Sequence, residues 1–204
     1  PLEARGFEVA VFHTTGMGGM AFEALAAGGA FACVMDFSLQ EVANLLAGSV
    51  VSAGADRLRG AGRAGVPQIV APGAIDMVDF AASHPVPPLL AGRPSHVHNR
   101  LIASAMTTPD ERRACARAIA DRLAEARGPV HLILPAQGIE AWDREGEALH
   151  DPEGLAAFAD ALRGAVRPPV LLTDLDAHIN DAAFAEAALA VLDGWIAEGI
   201  VRTA

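Results

Sequence analysis

Val9-Ala10-Val11-Phe12-His13-Thr14-Thr15-Gly16-Met17-Gly18-Gly19-Met20-Ala21-Phe22-Glu23 is the stretch on which the fold of this chain turns. Val9 to Phe12 is a short apolar run of the kind that forms a strand buried on both faces. A polar, glycine-rich elbow follows, then a helix that runs to about Ala27 and stops at Gly28-Gly29. At such an elbow the unpaired N–H groups of the helix start and the positive end of its dipole face the same spot. An anionic group of a ligand is expected there, held by His13, Thr14, Thr15, Gly16, Gly18 and Gly19.

The same alternation continues outward. Phe31 to Met35 reads as a second strand ending at Asp36, and Ser38-Leu39-Gln40-Glu41 reads as a capping box opening a helix. Ser49 to Ser52 reads as a short strand, Asp56 caps the next helix, and Gln68 to Ala71 is a strand broken by Pro72-Gly73. From Pro72 to about Pro94 the pattern lapses into a long loop, before a short strand at His96-Val97-His98. Thr108-Pro109-Asp110-Glu111 is a strong helix start, and Val130 to Leu134 is a strand. Asp151-Pro152 opens another helix, Val170 to Thr173 is the last strand, and Asp181 starts the final helix. Strands alternating with helices predict one α/β domain over residues 1–204: a Rossmann-like, open, mainly parallel sheet with helices on both faces.

Composition narrows the class of partner. The 204 residues are 52% hydrophobic, enough for a sizeable core, yet no apolar run approaches the ~20 residues that cross a bilayer. Net charge is −10 and all 15 basic residues are arginine, scattered without a basic stripe, which argues against a nucleic-acid partner. Cys33 and Cys115 lie far apart in apolar surroundings and read as two reduced core thiols of a cytoplasmic protein.

Ligands of open α/β sheets bind outside the carboxyl ends of the strands. Collected there are the elbow, Asp36, Asp76 and the run Asp176-Ala177-His178-Ile179-Asn180-Asp181. Asp36, Asp76 and Asn180 are candidate ligand-binding residues beside the elbow. Asp176 and His178 are a candidate acid/base pair, which would suit a hydrolase or lyase. Gly16-x-Gly18-x-x-Ala21 with Asp36 twenty positions after Gly16 also fits an NAD-binding turn, in which the acid meets the ribose hydroxyls. Against that, His13-Thr14-Thr15 makes the turn longer and more polar than the tight dinucleotide one. His96-x-His98 and Asp174-x-Asp176-x-His178 have spacings that metals use, but only a fold that joined them would make a site, and no metal is assigned. An assembly module that presents its apolar helices to a second copy is a further alternative.

Five ordered motifs carry a resemblance. They are His13-Thr14-Thr15-Gly16-Met17-Gly18-Gly19, Ser52-Ala53-Gly54-Ala55-Asp56-Arg57-Leu58, Pro72-Gly73-Ala74-Ile75-Asp76-Met77-Val78, Thr107-Thr108-Pro109-Asp110-Glu111 and Leu175-Asp176-Ala177-His178-Ile179-Asn180-Asp181. Together they resemble the carboxyl-terminal half of the tobamovirus-resistance-protein-like ATP-binding family, an uncharacterised group in bacteria, fungi and plants. The resemblance implies two Rossmann-like halves facing one another, so that an amino-terminal domain is a partner of this one. It also implies an ATP site, with or without Mg, linked mainly with the other half, and a homo-oligomer is expected. Where the family pattern often carries arginine, this chain has Met20 and Met106, which removes two candidate phosphate ligands.

Overall fold

The computed structural model describes residues 1–203. Four strands form a parallel sheet: β1 (Val34–Asp36), β2 (Gln68–Val70), β6 (Val130–Pro135) and β7 (Leu171–Leu175), in the order β1-β2-β6-β7. Three more form an antiparallel sheet in the order β3-β5-β4, from β3 (Met77–Ala81), β4 (Ser95–Val97) and β5 (Ile102–Met106). Among the described residues six α-helices accompany them: α1 (Met17–Ala27), α2 (Gln40–Leu46), α3 (Gly60–Ala64), α4 (Pro109–Leu123), α5 (Pro152–Ala165) and α6 (Ala182–Ala197). The Rossmann-like α/β class is therefore as expected.

Alternation within the parallel strands explains the layering. Val70, Leu132 and Leu134 turn to one face, where Ile119 and Leu123 of α4 and Phe158 and Leu162 of α5 complete the core. Ile69 and Ile133 turn to the other face and pack with Phe184, Ala188, Leu192 and Trp195 of α6. Successive residues buried on opposite faces are what a helix-covered parallel sheet requires. The first core also takes in Val78, Phe80, Ala103 and Ala105, so the antiparallel sheet shares it with the parallel one. At Thr108 both halves of the capping box form: the side chain accepts from Glu111 N–H, and Glu111 accepts from Thr108 N–H.

Several local expectations are corrected. Val9 to Phe12 is in no strand, and Val11 is 89% exposed. A strand must pair its backbone groups, and a cleft separates this segment from the open edge of β1. Ser49 to Ser52 is also outside any strand, because the Ser49 hydroxyl holds the local backbone, accepting from Val51 N–H at 3.0 Å and donating to Asp79 O at 2.6 Å. Ser38 does not cap α2; its hydroxyl lies 2.9 Å from that of Thr14, and Glu41 is drawn elsewhere. Asp56 does not cap α3 but pairs with Arg63.

The loop expected between Pro72 and Pro94 contains β3. Its pattern was obscured by Asp79, a carboxylate inside a buried strand. Gln40 Nε2, Asn44 Nδ2 and Ser104 Oγ donate to it at 2.7, 3.0 and 2.6 Å, so the buried carboxylate has its hydrogen bonds.

Candidate functional site

Polar residues gather at the carboxyl edge of the parallel sheet in two buried clusters of opposite character. The first surrounds Arg57, which is fully buried on the segment leading into α3. Its guanidinium uses all five N–H donors. Nε donates to Glu41 Oε2 at 2.6 Å, Nη2 to Asp36 Oδ1 at 2.9 Å and to Ser38 O at 3.0 Å, and Nη1 to Asp36 Oδ2 and to Glu23 Oε1 at 3.2 Å. Glu23 reaches across from α1 and also accepts from the N–H groups of Leu58 and Gly60. Burial alone would weaken the arginine's hold on its proton, but Asp36 and Glu41 outweigh it and keep the group charged. Burial pushes the Glu23 carboxyl up, opposed by those N–H donors and Arg57.

This network reaches the elbow. Gly16 has φ +85°, and its N–H donates to Glu41 Oε1 at 2.6 Å. An anion thus does sit at the start of α1, as the glycines and the helix dipole suggest, but it is the protein's own carboxylate. Gly19 makes the approach possible: a Cβ there would stand 2.1 Å from Glu41 Oε2. Asp36, read as a ribose or ligand contact, has both oxygens on Arg57. Between residues 7–14 and the edge of β1 runs a cleft of about 700 Å³, whose lining includes Phe12, His13, Thr14, Phe22, Phe31 and Asp36. Phe12, Phe22 and Phe31 form one ring cluster, with centroids 5.7 to 6.1 Å apart.

The second cluster lies where the loops after β2, β6 and β7 meet. Asp76 is 2% exposed, and its Oδ1 has no hydrogen-bond partner. Burial lifts its carboxyl to about 6, with Arg112 opposing and Asp143 and Asp151 adding to the rise. Glu140 accepts from Trp142 N–H through Oε2 while its Oε1 is unpartnered, and burial lifts it to about 7. Arg112, 1% exposed on α4, donates from Nε to Thr107 Oγ1 at 3.2 Å. Its Nη2 lies 2.9 Å from Asp151 Oδ2 without a directed hydrogen bond. Gly154 leaves room for that guanidinium, since a Cβ there would stand 2.5 Å from Nη1.

His178 belongs to this second cluster and not to a pair with Asp176. It is fully buried, Nε2 lies 2.8 Å from Asp143 Oδ1, and Nδ1 accepts from Asn180 N–H at 3.0 Å. An acceptor at Nδ1 places the ring proton on Nε2, so both nitrogens are spent in holding the loop. Asp176 is exposed and accepts from Gln137 Nε2; Asn180 is exposed and contributes its backbone. His96 stacks on Trp142 at 4.0 Å, and among the described residues no group of three or more His, Cys, Asp or Glu side chains is placed to hold a metal ion.

Of the residues singled out from sequence, His13, Thr14 and Asp36 line the cleft, and Gly16 and Gly19 abut its buried ion network. Gly18 packs its Cα against the His13 carbonyl, and Thr15 caps a local turn by donating to that carbonyl. Asp76 and His178 fall in the second cluster. Sequence reasoning missed Glu23, Glu41, Arg57, Arg112, Glu140 and Asp143. Arg57 stands inside one of the five motifs, Glu23 ends the opening stretch and Glu41 belongs to the expected capping box, whereas Arg112, Glu140 and Asp143 carry no local signal.

The fold and its polar edge define a Rossmann-like α/β domain. The chain belongs to the family described as "Uncharacterised protein family (UPF0261) C-terminal domain", which matches residues 1–196. It is 56% identical over 200 residues to a UPF0261 protein of Brucella melitensis, covering 98% of this chain and 48% of that protein. A UPF0261 protein of Clostridium tetani is 36% identical over 185 residues, covering 90% and 46%. The ToMV resistance protein Tm-1 of Solanum lycopersicum is 34% identical over 188 residues, covering 91% and 25%. The chain thus spans about half the length of the bacterial relatives it matches. Among the described residues no helix is long and apolar enough to cross a membrane.

Proposed function

We propose that this chain is a small-molecule-binding domain whose cleft beside β1 forms one wall of a nucleotide or phosphorylated-metabolite site. The observation that carries it is the cleft itself: about 700 Å³, apolar along the phenylalanines and polar at His13, Thr14, Ser38 and Asp36. That volume and that mix of lining are typical of cofactor sites. The phenylalanine rings would pack a flat body such as a base. The polar end offers few charges to a phosphate, because Arg57 is committed to three carboxylates and Gly16 N–H to Glu41. These residues do not fit a triphosphate unaided, so the phosphates of ATP, and any Mg, would be met by the amino-terminal domain.

Calorimetric titration of ATP, adenosine and NAD into the full-length protein tests this. Adenosine and ATP are expected to bind, with His13→Ala weakening both to a similar degree. If none of the three binds, or if His13→Ala and Phe12→Ala leave affinity unchanged, the cleft is not the site. NAD is expected to bind no better than adenosine, since Asp36 is already paired.

A second reading, an assembly surface, is favoured by a specific set of exposed side chains. Val9, Val11, Met17, Met20 and Leu25 all stand in solvent along the segment and α1. Light scattering on this domain is expected to show a homo-oligomer that Met17→Glu dissociates; a clean monomer at high concentration counts against it.

A further inference from the structure

The second cluster encloses a cavity of about 100 Å³, lined by Asp76, Arg112, Asp143, Leu149, His150 and Asp151 among others. Two of its walls are charged side chains with an atom that lacks a hydrogen bond: Asp76 Oδ1 and Arg112 Nη2. A buried polar atom left unpaired costs about 1 to 3 kcal/mol, so Asp76 Oδ1, beside a guanidinium nitrogen whose 2.9 Å contact with Asp151 Oδ2 is not a directed hydrogen bond, marks a place built to hold something. The space admits about three waters or a group of a few heavy atoms.

The walls also say what kind of group. Asp76 Oδ1 needs a donor and Arg112 Nη2 needs an acceptor, so the occupant must carry both. An anion is disfavoured because the charge of Arg112 is already offset by Asp151 at 2.9 Å, with Asp143 a further acid on the cavity wall. A metal ion is disfavoured because a guanidinium shares the space and no ligand cluster is present among the described residues. An apolar group would leave both atoms unsatisfied. We propose that this cavity is a binding site for the hydroxylated end of a neutral polyol or sugar, one hydroxyl donating to Asp76 Oδ1 and a neighbouring oxygen accepting from Arg112 Nη2. The glycine at position 154 serves that geometry by leaving Arg112 where it can reach the cavity. The site is separate from the cleft beside β1 and does not rest on the function proposed for it.

Erythritol is the probe, titrated calorimetrically into the full-length protein near pH 6, with acetate and methylammonium as charged probes of similar or smaller size. Erythritol is expected to bind with a Kd on the order of 1 mM, as befits so few heavy atoms. Asp76 titrates at about 6 in a setting that includes Arg112 of α4, Glu140, Asp143 and Asp151 of the loops, and His150. A hydroxyl that donates to the carboxylate displaces its proton, so binding at that pH releases about half a proton per site, read from the dependence of heat on buffer. Asp76→Asn is expected to abolish the proton release and weaken erythritol at least tenfold. Ala136→Met, at the rim of the cavity, closes it without touching either charged group and is expected to abolish binding in a protein of normal stability. No erythritol binding at 50 mM, binding unchanged in both variants, or preference for acetate or methylammonium overturns the proposal. Ordered water alone in the cavity of an erythritol-soaked crystal overturns it as well.

Discussion

The Arg57 cluster and the Asp76 cluster lie at the same edge of the same sheet and differ in one respect. Around Arg57 every N–H donor is used, and three carboxylates and a carbonyl converge on one guanidinium. Around Asp76 and Arg112 there is a comparable inventory of acids and a guanidinium, yet Asp76 Oδ1 and Glu140 Oε1 have no hydrogen-bond partner and Arg112 Nη2 meets Asp151 only as an ion pair without a directed hydrogen bond. The glycine-rich motif that draws attention from sequence leads to the saturated cluster, which ties α1, β1, α2 and α3 together. The cluster with spare hydrogen-bonding capacity draws Asp76, Thr107 and His178 from three separate motifs, none of them glycine-rich like the elbow. A conspicuous elbow can mark an internal anion site, and unpaired buried atoms are the better sign of a place for something else.

Arg57→Ala should have the largest effect, because it strands Glu23, Asp36 and Glu41 in the interior. Loss of about 3 to 5 kcal/mol is expected in denaturant unfolding, and a midpoint like that of the wild type would show that the cluster is not a keystone. The Asp76 cluster should reveal itself through pH instead. Asp76 and Glu140 hold their protons more tightly folded, at about 6 and about 7, than in the unfolded chain. The stability they contribute is full below about pH 4 and is lost as pH climbs through those values, on the order of 3 kcal/mol for Asp76 alone. Asp76→Asn should flatten that part of the curve, and parallel curves for variant and wild type would refute it.

Gly154→Ala sharpens the contrast more finely. The new Cβ would stand 2.3 Å from Asp151 Oδ2 and 2.5 Å from Arg112 Nη1, so a loss of about 1 to 3 kcal/mol is expected from overpacking. Should thermal unfolding show no change, the guanidinium is freer than its contacts suggest. Smallest of all is Val11→Ser on the exposed segment, expected within about 0.5 kcal/mol in the isolated domain. A larger loss would mean that the segment near the cleft pairs more firmly than its exposure implies.

How much of this was legible in advance follows from the range of the forces. Thr108-Pro109-Asp110-Glu111 and Asp151-Pro152 announced α4 and α5, because a cap is satisfied within four residues. The apolar runs around Ile69 and Ile133 announced central strands, because both faces are covered. Val9 to Phe12 had the same apolar signature and is in no strand, for a ladder needs a partner that no run of side chains specifies. Met77 to Ala81 failed in the other direction: Asp79 breaks the pattern, and the neutral donors that hydrogen-bond it come from α2 and β5.

Local patterning in the chain is enough to give the class of fold, the helix starts and the edge at which polar residues collect. It also determined that glycines at 16, 18 and 19 would bring backbone close to another group. Which group that is depends on contacts between segments far apart in the chain. Glu41 lies 25 positions from Gly16, Asp143 lies 35 from His178, and neither separation carries a periodic signal. A carboxylate's partner is chosen by which segments the core brings together, and the core is an interaction among residues distant in the chain.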